Sequence, residues 1–361
     1  MNDHYKYMQL AIELAKKAEG KTSPNPIAGA VIVKNGDIIG QGYHKKAGMP
    51  HAEVEAINSV QDKSLLKGST LYVTLEPCCH YGRTGPCTKE IIKAGIKEVY
   101  AAMIDPNPKN NGKGSEELRR AGIPVYVGIM ENEARKMNEA FVKYITTKKP
   151  FVIMKTAISL DGKTATKKGH SKWISSEESR NYVHTIRNKV DAVMVGINTV
   201  LADDPHLTTR IEGGKDPLRI ILDSKLRIPL NARILKDKNA IIATTQKYNR
   251  KKKVALERRG IGVVVVNSNS ERVDMKELMN ELALRGITSI MIEGGSEVNA
   301  SALKAGIVDK VIYFIAPKII GGKDAKPAVG GEGINYMDEA IELKNVEVKR
   351  VGPDIVVEGY L

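Results

Sequence analysis

Apolar positions along the first 146 residues change period repeatedly. Over residues 5–18 they recur at helical spacing, whereas 28–33 and 38–43 form short apolar runs of the kind strands carry. Asn35-Gly36 between those two runs is a strong tight-hairpin signal. The pattern then predicts a helix from about His51, strand 70–75, helix 88–94, strand 98–102, helix 115–121, strand 125–128 and helix 131–144. After the first helix the order is β-β-α-β-α-β-α-β, the alternation of an α/β layer.

Thr146-Thr147-Lys148-Lys149-Pro150 is a polar joint ending in proline, so a domain boundary is expected near residue 147. A second α/β series follows, with strands predicted at 151–159, 192–196, 218–222, 240–244, 261–266, 289–293 and 310–316. A chain of 361 residues exceeds what one core supports, and domains at 1–146 and 147–361 are each long enough for a core of their own. Hydrophobic residues make up 42% and charged residues 27%, which removes the disordered and fibrous classes. The longest apolar runs, 151–154 and 311–316, fall far short of the ~18 residues a membrane span needs. The first 19 residues lack the apolar core and cleavage site of a secretory signal, so a cytoplasmic protein without a membrane partner is expected.

Charge changes the picture modestly. Residues 1–146 carry 20 basic and 16 acidic side chains, residues 147–361 carry 36 and 26, and the chain totals +14. The surplus suits anionic ligands, phosphorylated metabolites or nucleic acid, although lysine-rich surfaces are often only solvated faces.

The three cysteines, Cys78, Cys79 and Cys87, crowd one stretch in odd number, which suits a metal or catalytic cluster better than disulfides. His51, Cys78 and Cys87 supply the three protein ligands of a catalytic zinc site, leaving its fourth position open. His51-Ala52-Glu53 lies where a helix begins, so Glu53 rises beside the metal from the same turn and can shuttle protons as the catalytic residue. A zinc nucleobase deaminase carries H-x-E and then P-C-x-x-C. Here the second cysteine stands nine positions after the first, with Cys79 to Pro86 inserted between them. Cys79 is expected to be a bystander.

Those residues, together with Thr22-Ser23-Pro24-Asn25-Pro26, Gly42-Tyr43-His44 and Thr74-Leu75-Glu76-Pro77-Cys78-Cys79-His80-Tyr81-Gly82-Arg83-Thr84, make the first domain resemble the riboflavin-pathway deaminases. The resemblance implies a cytidine-deaminase-like α/β/α sandwich. It also implies a diaminopyrimidinone substrate bearing a ribosylamino 5-phosphate, contacted by Asn25, His44, His80 and Arg83. Gly85, where a second proline is usual, and Cys79, where serine is common, are small departures.

The second domain has no G-x-G-x-x-G after a strand. It does have Gly294-Gly295-Ser296 between a buried strand and the helical stretch 298–304, a place where backbone N–H groups can cradle phosphate. Lys155-Thr156-Ala157-Ile158-Ser159-Leu160-Asp161-Gly162-Lys163, Ser171-Lys172-Trp173-Ile174-Ser175 and the run from Val195 to Pro205 resemble the riboflavin-pathway reductases, related in fold to dihydrofolate reductase. The resemblance implies an NADPH site lined by Ala157, Trp173, Thr199, Asp203, Ser224, Gly295, Ser296, Glu297, Val298, Asn299, Ala300 and Ser301. It implies substrate contacts from Ser171, Arg187, Leu207, Arg210 and Glu293. No acid–base pair for the reduction stands out.

The expected function is hydrolytic deamination of the phosphorylated pyrimidine and then NADPH reduction of its ribosyl chain, by a homo-oligomer that binds no nucleic acid. Two rivals stay open. One is a deaminase of nucleic acid, weakened by a basic second half without interleaved aromatics for stacking. The other is a structural zinc site, which needs a fourth protein ligand, with Cys79 or His80 nearest in sequence.

Overall fold

In the computed structural model, which describes residues 3–82, 85–268 and 271–361, the helical spacing at the start closes as α1 (Asp3–Lys16). Its apolar stripe buries Met8, Ala11, Ile12 and Ala15. The hairpin of β1 (Gly29–Lys34) and β2 (Asp37–Tyr43) turns at Asn35 and Gly36, both at positive φ (52° and 89°), as a tight hairpin turn demands. There follow α2 (Ala52–Ser59), β3 (Thr70–Val73), α3 (Cys87–Lys93), β4 (Glu98–Ala101), α4 (Lys113–Arg120) and β5 (Val125–Val127). The sheet order is β2-β1-β3-β4-β5, antiparallel around β1 and parallel from β3 to β5.

Both faces of this sheet are covered. Ile32, Val73, Ala52, Ile91 and Leu118 join it to α2, α3 and α4, while Val31, Tyr72, Met8, Ile12 and Ala134 fill the face under α1. This is the α/β/α sandwich the resemblance implied.

The helix expected over 131–144 is instead two, α5 (Glu131–Met137) and α6 (Glu139–Thr147). Asn138 leaves helical geometry between them at φ −111°, ψ 21°. Its buried amide accepts from the Ile27 N–H at 2.9 Å and donates to the Ile27 carbonyl at 3.0 Å. A tertiary hydrogen-bonding task thus overrides the local period.

The chain divides into the units Met1–Lys148 and Lys149–Leu361. The second contains β6 (Phe151–Ser159), β7 (Lys163–Ala165), α7 (Glu177–Lys189), β8 (Ala192–Gly196), α8 (Ile197–Asp203), β9 (Leu218–Leu222) and β10 (Ala240–Thr244). These are followed by α9 (Arg250–Arg258), β11 (Gly262–Val265), α10 (Met275–Leu284), β12 (Ser289–Ile292), α11 (Ser296–Lys304), β13 (Lys310–Ala316), β14 (Lys326–Pro327), β15 (Lys344–Val351) and β16 (Asp354–Tyr360). Nine strands form one sheet in the order β11-β10-β9-β8-β12-β6-β13-β16-β15, and β7 pairs separately with β14.

Strands β11 to β13 run parallel, and β16 and β15 close the sheet antiparallel. β8 and β12 are buried throughout, as central parallel strands are. After β8 the chain proceeds outward to β11 and then returns with β12 between β8 and β6. Such a reversal opens a crevice at the carboxyl ends of the strands. No helix among the described residues is long and apolar enough to cross a membrane.

Candidate functional site

Two clefts hold most of the side chains singled out in the sequence. In the first unit, α2 starts at its N-cap His51 and α3 starts at Cys87, so two helix N-termini converge on one point. Cys78 reaches the same point from the loop beyond β3. His51 Nδ1 lies 3.5 Å from Cys78 Sγ and 3.3 Å from Cys87 Sγ, and the three donor atoms all lie within 4.8 Å of one another. Tetrahedral zinc with ordinary Zn–N and Zn–S bonds holds its ligands roughly 3.3–3.8 Å apart, so the donor set fits that ion. The backbone N–H of Cys87 donates to Cys78 Sγ at 3.4 Å. The hydrogen bond from the Cys87 thiol, followed by the influence of His51, holds the Cys78 thiol at about 4 despite burial.

No fourth histidine, cysteine or carboxylate among the described residues joins the cluster. Cys79 is not part of it, and its backbone N–H donates to Asn110 Oδ1 at 3.1 Å. The position that a structural site would close is left open.

Glu53, two residues into α2, is 4% exposed. Burial first, and then the charge of Cys78, raises its carboxyl to about 6. It lines a cleft of about 350 Å³ with His51, Cys78, Asn25, His44 and His80. His44 Nδ1 faces the Pro50 carbonyl at 3.0 Å and its Nε2 faces Asn25 Nδ2 at 3.1 Å. A ring donating to the first and accepting from the second is neutral, and burial lowers the His44 pKa accordingly. His80 Nδ1 is buried without a hydrogen-bond partner among the described residues, a donor or acceptor held for something in the cleft. Arg83 lies outside the described residues.

Asp105 and Asn107 also line this cleft and were not singled out in the sequence. Their signal was the turn-rich Asp105-Pro106-Asn107-Pro108 after a parallel strand, the usual position of ligand-binding loops. Burial, the largest cause, with Glu76 adding to it, pushes Asp105 to about 6. Glu76 itself pins this loop. Its carboxylate accepts from the backbone N–H groups of Asp105 at 3.1 Å, Gly112 at 2.9 Å and Ser115 at 2.9 Å.

In the second unit a cleft of about 670 Å³ opens over the carboxyl ends of β9, β8, β12 and β6. Ala157, Thr199, Asp203, Ser224, Gly295, Ser296, Glu297, Val298, Ser301, Ser171 and Glu293 line it. Five predicted residues and the remaining arginine stand apart from that lining. Asn299 is buried on the inner side of α11, donating to Thr156 Oγ1 at 3.2 Å and to the Ala328 carbonyl at 2.9 Å, and Ala300 also lies off the cleft. Trp173 is 62% exposed under the Arg180 guanidinium, 4.4 Å from its ring centre. Leu207 is buried and Arg210 exposed outside the lining. Arg187 acts through Glu293, donating to its two oxygens at 2.6 and 2.9 Å and to the Thr208 carbonyl at 2.9 Å.

Lys155 completes that cluster and was quoted in a motif without being given a role. It lines the cleft with its ammonium 3.6 Å from Glu293 Oε2. Burial lowers its pKa against the pull of Glu293. Burial alone would raise Glu293, yet Arg187 and then Lys155 bring it down to about 2. A lysine directly after the apolar run Phe151 to Met154 of a buried strand was the available signal.

Two family models match the chain. One described as cytidine and deoxycytidylate deaminase zinc-binding region covers residues 1–103, and one described as RibD C-terminal domain covers 150–357. The riboflavin biosynthesis protein RibD of Aquifex aeolicus is 47% identical over 97% of this chain and 96% of its own. That of Escherichia coli is 38% identical over 98% of each. Among solved structures, Acinetobacter baumannii RibD matches with a TM-score of 0.89 and 37% identity over 99% of this chain and 98% of that one. A deaminase/reductase from Thermotoga maritima matches at 0.87 and 38% identity over the same shares.

Proposed function

The chain belongs to the RibD family of bifunctional riboflavin-biosynthesis enzymes, and from that premise we propose how its residues divide a deamination and a reduction between them. The Thermotoga relative is described as a diaminohydroxyphosphoribosylaminopyrimidine deaminase and 5-amino-6-(5-phosphoribosylamino)uracil reductase, and these are the two reactions assigned to the two units here. The first unit deaminates the 2,5-diamino-6-ribosylamino-4(3H)-pyrimidinone 5′-phosphate. The second reduces the ribosyl chain to give 5-amino-6-ribitylamino-uracil 5′-phosphate.

The observation that carries the first assignment is a three-donor cluster with a buried carboxyl beside it. His51, Cys78 and Cys87 would hold zinc, which would make hydroxide available at neutral pH by lowering the pKa of a water toward ~7. Glu53, raised to about 6, accepts the water's proton and returns it to the ring nitrogen, then takes the hydroxyl proton of the tetrahedral adduct and delivers it to the amino group, which departs as ammonia as the carbonyl forms. Asn25 and neutral His44 face the pyrimidine, and His80 offers it the unpartnered Nδ1. Glu53→Gln is expected to keep zinc, measured by metal analysis, while ammonia release falls by at least ~10². Normal release with zinc retained would remove Glu53 from the mechanism.

In the second cleft NADPH supplies the hydride. As it reaches the sugar's C1, the ring oxygen that opens must gain a proton. Lys155 is the buried donor of the cleft, and Glu293, pinned by Arg187, holds its ammonium in place. Reduction is expected to require the deaminated compound.

The remaining assignments rest on lesser support. Free Cys78, Cys79 and Cys87 suit a reducing cytoplasm. The exposed Ile334, Tyr336, Met337, Ile341, Val346 and Val348 suit a homo-oligomer that covers them. Clefts of this size suit a small phosphorylated pyrimidine, and neither a nucleic acid nor a membrane is assigned as partner.

A further inference from the structure

The second cleft has a direction. It runs across four adjacent strands, from Lys155 on β6, past Glu293 after β12 and Asn198 after β8, to Ser224 and Arg227 after β9. Three strand spacings of ~4.8 Å place its ends roughly 14 Å apart, a reach that suits a dinucleotide lying extended across the sheet. The reducing end belongs beside Lys155 and Glu293, where the substrate's sugar must sit. Gly294-Gly295-Ser296 at the start of α11 lies between the ends and suits the diphosphate. The adenosine half therefore falls at the β9 end.

Cations in this cleft are committed unequally. Lys155 is paired with Glu293, and Arg272 with Glu297 at 3.1 Å. Lys326 stands on β14, which pairs with β7 in a separate two-stranded sheet and not with β9. Arg227 has no carboxylate partner among the described residues; its Nη2 donates to the neutral Asn198 Oδ1 at 2.7 Å. That bond fixes the guanidinium while leaving other N–H donors of its planar fork available.

The turn carrying Arg227 is also set in advance. Asp223 is fully buried and accepts from the Ile228 N–H at 2.8 Å, and the buried Leu226 takes a left-handed φ of 54°. Residues on either side of Leu226 consequently point outward, Lys225 to Glu271 at 3.7 Å and Arg227 to the cleft.

We propose that Arg227 recognises the 2′-phosphate of the dinucleotide and sets the preference for NADPH over NADH. This rests on the reading that the cleft binds a nicotinamide dinucleotide. A charge-assisted fork to phosphate is what distinguishes the two cofactors, which differ only there.

The test is equilibrium binding to the full chain without substrate, followed by calorimetry or nicotinamide fluorescence. NADPH and NADH are compared, and adenosine 2′,5′-bisphosphate is compared with 5′-AMP. Arg227→Ala is expected to weaken NADPH and the bisphosphate by about 10- to 100-fold while leaving NADH and AMP unchanged. Arg227→Lys should recover part of the loss. An Arg227→Ala protein that keeps the wild-type ratio of NADPH to NADH, or loses both ligands equally, overturns the proposal alone. A wild-type chain that binds neither dinucleotide overturns the cofactor reading beneath it.

Discussion

Glu293 shows how a single carboxylate can organise a site. Buried beneath the cleft, it would resist ionisation, but the two hydrogen bonds from Arg187 and the nearby Lys155 ammonium outweigh that resistance and set it at about 2. Its folded pKa lies below the ordinary 4.5, so its charge stabilises the fold above that pH. The contribution is lost as pH falls from 4.5 toward 2. Glu293→Gln leaves two cations buried without their counter-charge and is expected to cost about 3–5 kcal/mol in denaturant unfolding. It should also remove this acid-dependent loss from the stability–pH curve and abolish NADPH oxidation. A variant unfolding at the wild-type denaturant midpoint would refute the account. The same residues mark what sequence could convey. His51, Glu53, Cys78 and Cys87 were legible because zinc chemistry imposes local spacing, whereas Lys155 meets Glu293 across 138 positions of chain and only the sheet joins them.

At the scale of elements, the deaminase cleft depends on α4 lying close against the loop that carries Cys78. Gly114, the second residue of α4, has no space for a side chain, since a Cβ there would sit 1.9 Å from the Pro77 carbonyl oxygen. Glu76 ties the neighbouring loop to the N-terminus of α4, and Asn110 from that loop donates to the same Pro77 carbonyl at 3.2 Å. Gly114→Ala should push α4 away from the zinc loop, lowering stability by about 1–3 kcal/mol. Zinc retention and ammonia release should fall together, with the reductase untouched. Unchanged zinc content would separate α4 from the metal loop. Apolar period found the helices of the first unit and the parallel strands of both sheets, where burial is one-sided or complete. It missed β15, whose residues Lys344 to Arg350 are all exposed, along with β16 and the short pair β7 and β14, and it joined α5 to α6, because nothing local signals the bond between Asn138 and Ile27.

Across the whole molecule, two units with separate cores carry chemistries that require opposite conditions. Deamination needs water delivered to an amino-bearing carbon, while hydride transfer needs a donor held against the sugar. Charge divides in keeping with this, since the unit offered a dinucleotide and a sugar phosphate carries the larger positive surplus. The order of reaction can then be read by disabling one site at a time. Removing zinc with a chelator should stop ammonia release while the chain still oxidises NADPH when given the deaminated compound. Glu53→Gln, given the diamino compound, should leave NADPH unconsumed although its reductase residues are intact. Supplying the deaminated compound to that same variant should restore the wild-type oxidation rate. If the variant consumed NADPH with the diamino compound at the rate of the wild type, reduction would not depend on deamination, and the sequential scheme would have to be replaced by two independent activities.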